Sequence, residues 1–252
     1  MICTTLTEWH DRLGSTNDEA RTRVASLGAD ECLWVAARQQ TAGRGRRGRV
    51  WQSDTDGAGG DLTASAVLPV PCPLKDLGQV SFVTALAVRQ ALVDLGVTAE
   101  AVRLKWPNDV LIAGQKVAGI LLESGPLMPG INWLVVGVGI NLATHPTGVD
   151  FQATHVGQHA PMPTPEQTLP LLAEAFAQHY NRWRQYGFVA IGDAWEKVAW
   201  GLNAPAIARL GTEDVQGTAQ GLDETGALVM RLEGGGVRKI SAGEVFFSEN
   251  SR

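Results

Sequence analysis

The spacing of apolar residues predicts two buried strands and a buried helix in the first part of the chain. Short apolar runs at residues 32–38 and 62–68 are bounded by charged, glycine or proline residues, which is typical of strands in a sheet core. Residues 77–95 are apolar so often that we predict a helix buried on most sides, ending at Gly96. The prolines that follow the second strand, beginning with Pro69, predict a connector outside any central strand ladder.

A shorter helix is predicted at residues 16–27, with Gly28 as its end. Thr16 and Glu19 have the spacing of a capping box, and acidic side chains suit the positive end of a helix. The hydroxyl and amide groups of residues 15–17 could also bind a polar small molecule at the helix N-terminus. Capping alone accounts for these residue types, so at this point we favour the cap.

The segment at residues 102–112 alternates apolar with basic residues and is interrupted by Pro107. The proline predicts a bulge or edge at residues 106–109 that turns polar groups toward a cleft. After a short turn the chain returns, and this hairpin predicts that Lys105 and Lys116 lie on neighbouring strands. Two ammonium groups in an otherwise apolar sheet require a counter-charge or an anionic ligand, unless their side chains reach out to water.

Residues 133–140 predict another buried strand, and Gly137 and Gly139 resemble part of a dinucleotide-binding fingerprint. Leu142 stands where that fingerprint requires a third glycine, and no helix signal follows it. We therefore reject a Rossmann fold, and the sequence contains no Gly-x-x-x-x-Gly-Lys-Ser/Thr phosphate loop. The phosphates of a bound nucleotide would have to be held by arginine and lysine side chains.

The stretch at residues 143–164 has no clear periodicity, and loops of this length in compact domains are usually functional covers. His155 and His159 have a spacing found in metal sites, but no acidic or cysteine ligand accompanies them. We interpret both histidines as polar loop residues and expect no structural metal.

Two helices and then a set of short strands are predicted in the last part of the chain. The first helix follows a capping box at Thr164 and Gln167, although Pro170 predicts a later start, and the second covers residues 189–200. From residue 204 onward, short apolar runs are separated by glycine-rich or acidic turns. This regular spacing predicts a small antiparallel barrel.

Composition places the chain among ordinary globular proteins. Its 252 residues include 44% hydrophobic and 19% charged residues, and the formal net charge is -5. The acidic balance argues against bulk nucleic-acid binding, which needs a basic face. The three cysteines are too few and too widely spaced for a disulfide framework or a Cys-x-x-Cys metal site. There is no secretory signal and no apolar run near the roughly 20 residues of a membrane span, so we expect a cytoplasmic protein without membrane contact.

Against this acidic background, residues 40–51 concentrate positive charge. The segment Gln-Thr-Ala-Gly-Arg-Gly-Arg-Arg-Gly-Arg-Val-Trp contains four arginines, three glycines and no acidic residue. Alternating glycine with arginine cannot build a packed helix or strand, but it can build a loop whose N–H groups approach a ligand while guanidinium groups clamp an anion. A solvated basic loop, or a nucleic-acid-binding segment, explains the same residues at this point.

Five motifs together resemble the biotin protein ligases. In chain order they are Ser15-Thr16-Asn17, Gly43-Arg44-Gly45-Arg46-Arg47-Gly48-Arg49-Val50-Trp51, Lys105-Trp106-Pro107-Asn108-Asp109, Lys116-Val117-Ala118-Gly119-Ile120-Leu121 and Gly137-Val138-Gly139-Ile140-Asn141. The resemblance covers nearly the whole chain. It implies an α/β (α+β) fold, with a mixed β-sheet and packed helices of the class II synthetase and biotin-lipoate ligase type, plus a small C-terminal SH3-like β-barrel. The implied domains are a catalytic ligase domain at residues 1–203 and an SH3-like domain at residues 204–252.

The activity implied by the resemblance is an ATP-dependent ligation in two steps. Biotin and ATP form biotinyl-5'-adenylate and pyrophosphate, and a lysine of a biotin carboxyl carrier domain then attacks the mixed anhydride. Each step is a direct displacement, so no enzyme nucleophile is required, and fixed cations would stabilise the charge that builds on the phosphoryl oxygens. Magnesium would enter with ATP, with Asp109 as the candidate to assist it, and residues 143–164 would fold over the adenylate.

The resemblance also assigns roles to particular residues. Lys116 and Arg46 would be catalytic. Lys116 would contact the biotin carboxylate and then the adenylate linkage, and Arg46 would become ordered over biotin together with Arg44. The implied biotin-binding residues are Ser15, Thr16, Asn17, Gln40, Gly43, Arg44, Gly45, Arg46, Lys116 and Gly119. The implied ATP-binding residues are Arg49, Trp51, Lys105, Asn108, Asp109 and Asn141. No residue is assigned to a resident metal.

Two alternative functions stay open at this stage. A lipoate-protein ligase shares the fold and the Lys116-to-Gly119 spacing, but it would need an Arg-Arg-x-Ser-Gly-Gly-Gly signature that this sequence lacks. A non-enzymatic nucleic-acid-binding module would explain the arginine-rich loop and leave residues 105–109 without a purpose.

The resemblance also bears on partners. Only 14 residues precede Ser15, so we expect neither the winged-helix domain of bifunctional family members nor DNA binding. The expected partner is the carrier domain of a biotin-dependent carboxylase, and a homodimer is compatible with the sequence. Residues 56–61 depart from the Gly-Asn-Leu segment common in the family.

Overall fold

The computed structural model describes residues 1–52, 60–149 and 151–247, which form two β-sheets and three α-helices. The first sheet contains β1 (Thr4–Leu13), β2 (Glu31–Gln40), β3 (Leu62–Val70), β4 (Val102–Lys105), β5 (Asp109–Ile112), β6 (Gln115–Met128) and β7 (Ile131–Ile140). The second contains β8 (Pro205–Arg209), β9 (Asp214–Leu222), β10 (Leu228–Arg231), β11 (Val237–Ile240) and β12 (Glu244–Phe247). The helices are α1 (Thr16–Arg23), α2 (Val80–Asp94) and α3 (Pro165–Glu196). The predicted fold class is confirmed.

The first sheet is mixed, with its strands in the order β1-β2-β3-β7-β6-β5-β4. β1 and β2 run parallel, and all other neighbours run antiparallel. The sequence analysis missed β1, because this edge strand is largely exposed and lacks a continuous apolar run. Pro69 lies inside β3, contrary to the prediction. Pairing of β3 with β2 ends at Val67, so a residue without an N–H group fits beyond that point.

The segment at residues 102–112 forms a hairpin instead of one interrupted strand. Residues 106–108 make the turn between β4 and β5, which places Lys105 directly opposite Asp109. The predicted bulge was therefore wrong, because two four-residue strands are too short to reveal a reversal of direction by alternation alone. The predicted position is supported, because β4 is an edge strand and residues 106–109 face a cleft. Since β5 lies between β4 and β6, Lys105 and Lys116 are not on neighbouring strands, and that prediction was also wrong.

The predicted capping box of α1 was wrong. Ser15 is the N-cap in an extended conformation, and Thr16 is already the first helical residue. The Thr16 hydroxyl bonds to Gln40 instead of capping, so its residue type reflects the site and not the helix end. The helix is followed by a 3-10 turn at Val24–Ser26.

Helix α3 begins as its capping box predicts. The Thr164 side chain accepts from the backbone N–H of Gln167, whose own side chain accepts from the N–H of Thr164. The later start predicted from Pro170 was wrong, because the helix accommodates the proline and its missing hydrogen bond near the N-terminus. At Gly187, φ of 74° and ψ of -174° interrupt α3, so that its last part corresponds to the second predicted helix.

Alternation along the strands sends the two faces of the first sheet to different layers. On one face, α2 and α3 pack over the main core, which includes Trp34, Ala66 and Val136. On the other face, Ala20 and Val24 of α1 and its following turn pack against the intervening strand residues. Because α1 contacts mainly β2, β3 and β7, the same face stays accessible toward β6 and β5.

The second sheet is antiparallel, in the order β11-β10-β9-β8-β12, and confirms the five predicted C-terminal strands. It is joined to the rest of the chain by hydrogen bonds, among them one from Trp106 Nε1 in the β4–β5 turn to the carbonyl of Gly226 at 3.1 Å and one from the Leu222 N–H to Glu196 of α3 at 2.6 Å. The predicted departure at residues 56–61 lies mostly outside the described residues. Among the described helices, none combines the length and apolar character that crossing a membrane requires.

Candidate active site

Small residues on the accessible face of the first sheet leave room for a ligand. Across the strands, Ser65, Gly137 and Leu121 form one row of paired residues. The next row contains Thr63, Gly139, Gly119, Asp109 and Lys105. A Cβ at Gly137 would overlap the Asn17 side chain, and one at Gly139 would overlap the Trp51 indole. The glycines that resembled a dinucleotide fingerprint therefore admit two side chains, which are unrelated to a phosphate turn.

A cavity of about 810 Å³ lies over these rows. Its lining includes fifteen of the sixteen residues that the resemblance assigned to the site: Ser15, Thr16, Asn17, Gln40, Arg44, Gly45, Arg46, Arg49, Trp51, Lys105, Asn108, Asp109, Lys116, Gly119 and Asn141. Gly43 lies beside the lining, where a Cβ would clash with the carbonyl of Trp51. Arg46 and Lys116 therefore face one shared space.

One end of the cavity is neutral, buried and hydrogen-bonded. Ser15, Thr16 and Asn17 are each about 95% buried at the start of α1. The Gln40 Oε1 atom accepts from the Thr16 backbone N–H at 2.8 Å and lies 3.1 Å from the Thr16 hydroxyl. The fully buried Ser65 hydroxyl lies 2.7 Å from the Thr16 hydroxyl and 2.6 Å from Asn17 Oδ1. These contacts hold the polar atoms at fixed positions before a ligand arrives.

A β-bulge directs Lys116 into the cavity. Between Ala118 and Lys116, strand β6 advances two residues while β5 advances one, so Val117 is extra. In a regular strand, residues three apart point to opposite faces, and Lys116 would point away from Gly119. The bulge places them on the same face, where Lys116 Nζ lies 2.7 Å from Asp109 Oδ1.

Residues 43–51, which we call the arginine flap, form a small closed loop over the cavity. Arg44 and Val50 make an isolated antiparallel bridge, and the Trp51 N–H donates to the carbonyl of Gly43 at 3.0 Å. Between them, Arg47 and the glycine after it adopt positive φ values of 57° and 74°. The loop is therefore a defined turn, closed at its base by these contacts, from which the arginine side chains extend in different directions.

Each of three flap arginines meets a different partner. Arg44 donates to both Asp18 oxygens, at 2.7 and 2.8 Å, and these hydrogen bonds raise the pKa of Arg44 and lower the pKa of Asp18. Arg46 donates to Asn108 Oδ1 at 3.2 Å, and burial lowers the pKa of its guanidinium. Arg49 forms a salt bridge with Glu244 of β12.

The cationic end extends to the second sheet. Burial lowers the pKa of Lys105, whose Nζ lies 5.7 Å from the centre of the Phe246 ring. Arg209 stacks on the same ring at 4.5 Å. Arg209, Glu244 and Phe246 all line the cavity. The sequence analysis missed them, because nothing in the pattern of short strands distinguishes a residue that faces the other sheet.

The loop after β7 covers one side of the cavity, and its backbone is tied to β6. The Lys116 N–H donates to the carbonyl of Gln152 at 2.8 Å, and the Lys116 carbonyl accepts from Thr154. Asn141 Nδ2 donates to the carbonyl of Thr154 at 3.0 Å, while Phe151 lies 5.1 Å from Lys116 Nζ.

Asp61 anchors the start of this loop. Its Oδ1 atom accepts from the backbone N–H groups of Leu142, Ala143 and Thr144 at 2.8–3.2 Å. In the sequence, Asp61 attracted notice only as a departure from the family's usual asparagine.

The loop histidines bond within the protein. His155 Nδ1 lies 2.8 Å from His145 Nδ1, and His159 Nε2 lies 2.8 Å from the Thr154 hydroxyl. Within the described residues, the one cluster with metal-ligand spacing is Glu8, His10 and Glu19, away from the cavity, and Arg23 already pairs with both of its carboxylates.

Comparison with known proteins agrees with this arrangement. Residues 9–141 match the model of the biotin/lipoate A/B protein ligase family, and residues 202–248 match the biotin protein ligase C terminal domain. The chain is 41% identical to a biotin--[acetyl-CoA-carboxylase] ligase of Paracoccus denitrificans, covering 94% of this chain and 98% of that protein. It is 30% identical to the bifunctional ligase/repressor BirA of Bacillus subtilis, covering 94% of this chain and 72% of the relative.

A solved structure is similar over the same extent. The biotin protein ligase of Aquifex aeolicus in complex with biotin and ATP superimposes with a TM-score of 0.78 and 27% identity, covering 96% of this chain and 98% of that chain. The fold, the order of the motifs and both matched regions indicate the same family. The chain belongs to the biotin/lipoate A/B protein ligase family and carries the biotin protein ligase C-terminal domain.

Proposed function

We propose that this protein is an ATP-dependent biotin protein ligase, which forms biotinyl-5'-adenylate and transfers biotin to a lysine of a biotin carboxyl carrier domain. The observation that carries the proposal is one cavity with a neutral, buried end at Ser15–Asn17 and a cationic end around Lys116 and Arg46. Biotin joined to AMP has the same division, since its cyclic urea lies at one end and the acyl phosphate lies beyond the aliphatic chain, toward the nucleoside. The names of the relatives in Paracoccus denitrificans and Aquifex aeolicus support the same activity.

In the first step, a biotin carboxylate oxygen attacks the α-phosphorus of ATP. A new P–O bond forms, the bond from the α-phosphorus to the bridging oxygen breaks, and pyrophosphate leaves with the electron pair. Two anions must approach each other, so the barrier depends on fixed positive charge at the reacting atoms. Lys116 and Arg46 would supply it, and Asn108 would keep the Arg46 guanidinium in place.

In the second step, the neutral amine of the carrier lysine attacks the carbonyl carbon of the mixed anhydride. An amide forms, the C–O bond to the phosphate breaks, and AMP leaves with that electron pair while the amine loses a proton. No covalent enzyme intermediate is needed, which fits a cavity lined by cations, amides, hydroxyls and two carboxylates that are paired with Lys116 and Arg49.

Arg49, Trp51, Lys105, Asn108, Asp109 and Asn141 are our proposed nucleotide-binding residues. The Trp51 Nε1 atom is buried and has no hydrogen-bond partner within the described part of the chain, which suits a polar ligand or a shift of the ring on binding. Magnesium would arrive with ATP and neutralise phosphate charge. Asp109 could hold it through one oxygen, since Lys116 contacts the other.

Biotin-dependent exchange of radiolabelled pyrophosphate into ATP tests the proposal directly. The purified protein should catalyse exchange with biotin and not with lipoate, because the exchange reports reversible formation of the acyl adenylate. Exchange with lipoate in place of biotin would favour the lipoate ligase alternative. Absence of exchange with either acid, from a protein that is folded by circular dichroism, would contradict the proposed function.

A further inference from the structure

The side-chain amide of Asn17 is held from both sides by residues that the sequence motifs do not include. Asn17 Nδ2 lies 2.7 Å from Glu123 Oε2, and Asn17 Oδ1 lies 2.6 Å from the Ser65 hydroxyl. Both partners are on the accessible face of the first sheet, because Ser65 pairs with Gly137 and Glu123 pairs with Val135 across β7. Asn17 itself is 4% exposed.

The chemistry of these partners fixes which way the amide points. An ionised carboxylate can only accept hydrogen bonds, so the atom facing Glu123 must be the nitrogen. The opposite atom is then the oxygen, and it accepts from the Ser65 hydroxyl. The missing Cβ of Gly137 leaves the space that the oxygen fills. A flipped amide would place its carbonyl against the carboxylate.

Each polar atom of the amide keeps bonding capacity after these contacts. Nδ2 has a second N–H to donate, and Oδ1 has a second lone pair to accept. An amide with a fixed donor and a fixed acceptor is complementary to a cyclic urea, which presents a carbonyl next to an N–H.

We propose that Glu123 and Ser65 are positioning residues that lock the Asn17 amide in one orientation and thereby determine how the site binds the ureido ring of biotin. The inference rests on the proposed function and deepens it. Glu123 acts on the ligand through Asn17 and not by contact with the reacting atoms.

Glu123 has a second neighbour that a test must separate from the first. Its two carboxylate oxygens lie 3.4 Å from Arg44 Nη2, whose closer partner is Asp18 Oδ1 at 2.8 Å. Asp18→Asn removes the stronger contact of Arg44 and leaves the Asn17 amide untouched. It is therefore the matched control for Glu123→Gln, which relaxes both contacts.

The experiment measures biotin binding by calorimetry and KM for biotin and ATP by pyrophosphate exchange. Glu123→Gln and Ser65→Ala should each weaken biotin binding about tenfold and raise the biotin KM by the same factor. The kcat and the ATP KM should stay within about twofold of wild type, because both residues act on the ureido end of biotin and not on the reacting atoms. Asp18→Asn should change the biotin KM by less than about threefold. In an Asn17→Ala background, Glu123→Gln should add less than about twofold, since its route to the ligand is gone.

The inference is overturned if Glu123→Gln leaves biotin affinity unchanged, or if its effect is undiminished in the Asn17→Ala background. An equal effect of Asp18→Asn would also overturn it, because Arg44 would then account for the loss. Wild-type protein that binds biotin but exchanges no pyrophosphate would contradict the proposed function alone, since the calorimetric comparison still decides the role of Glu123.

Discussion

The two ends of the cavity are built on opposite electrostatic plans. At the neutral end, Ser15, Thr16 and Asn17 are buried and have their hydrogen bonds supplied by the protein. At the cationic end, burial lowers the pKa values of Arg46 and Lys105, so their charge is held there at a cost in free energy. A neutral ring can be met by hydrogen-bonding groups that the protein holds in place. A triphosphate brings counter-charge to Arg46 and Lys105, because the carboxylates of this end pair with Lys116 and Arg49 instead. This difference is the reason that we propose biotin as the ligand of the neutral end and ATP as the ligand of the cationic end.

The largest effect is expected from Lys116→Ala. Removing a cation from the point where the two anions meet should lower kcat for biotin-dependent pyrophosphate exchange by roughly 10² to 10³-fold, a size typical of lost transition-state electrostatics. The melting temperature should change little, because Asp109 stays accessible to water. Lys75→Ala, at an exposed position away from the cavity, is the control and should retain full exchange. Wild-type exchange by the Lys116 variant would remove this lysine from the mechanism.

Gly137 and Gly139 form the floor of the cavity on strand β7, and substituting each of them tests one end of the cavity separately. Gly137→Ala should displace Asn17 and raise the biotin KM roughly tenfold, while Gly139→Ala should displace Trp51 and raise mainly the ATP KM by a similar factor, because overpacking costs about 1–3 kcal/mol at the side chain that must move. Gly78→Ala serves as control, since no atom lies within 4 Å of its added Cβ. If both floor variants raised the same KM, the division of the cavity into two ends would be wrong.

The smallest effect is expected from Lys105→Met, and the direction of its change in melting temperature is informative. Burial lowers the pKa of Lys105, so protonated Lys105 opposes folding at neutral pH, and this destabilisation fades as pH rises through the folded-state pKa. The variant should therefore melt at or slightly above the wild-type temperature at pH 7, and this difference should shrink at alkaline pH. Its ATP KM should rise by about threefold to tenfold, as for one lost phosphate contact.

Lys75→Met is the matched control, with no change in either quantity. A lower melting temperature together with an unchanged ATP KM would show that Lys105 is a structural residue.

Much of the site could be predicted because its chemistry is concentrated in short motifs. The arginine flap and residues 105–109 are contiguous, and their residue types are hard to explain as packing. The five C-terminal strands followed from regular turn spacing. The residues that connect the motifs could not be predicted. Ser65 and Glu123 are ordinary strand residues in sequence, and the role that we propose for them depends on cross-strand pairing.

The errors share a physical origin in short-range patterns that tertiary structure overrides. The Thr16–Glu19 spacing matched a helix cap, but the Thr16 hydroxyl is used by Gln40. Pro107 correctly predicted an interruption of the strand. Whether the chain forms a bulge or reverses direction there depends on strand pairing, which the local sequence does not show. Edge strand β1 carried too little apolar character to be recognised.

The single extra residue at Val117 has a consequence for anyone who aligns or redesigns this segment. Deleting it would restore a regular ladder and leave Lys116 opposite Leu111 on the cavity face, but it would remove a fully buried core side chain and the carbonyl that accepts from the Asn141 N–H. Residues 115–119 must therefore keep their length as strictly as their identity, because a one-residue deletion there would cost Asn141 its backbone anchor while Lys116 still pointed at the ligand.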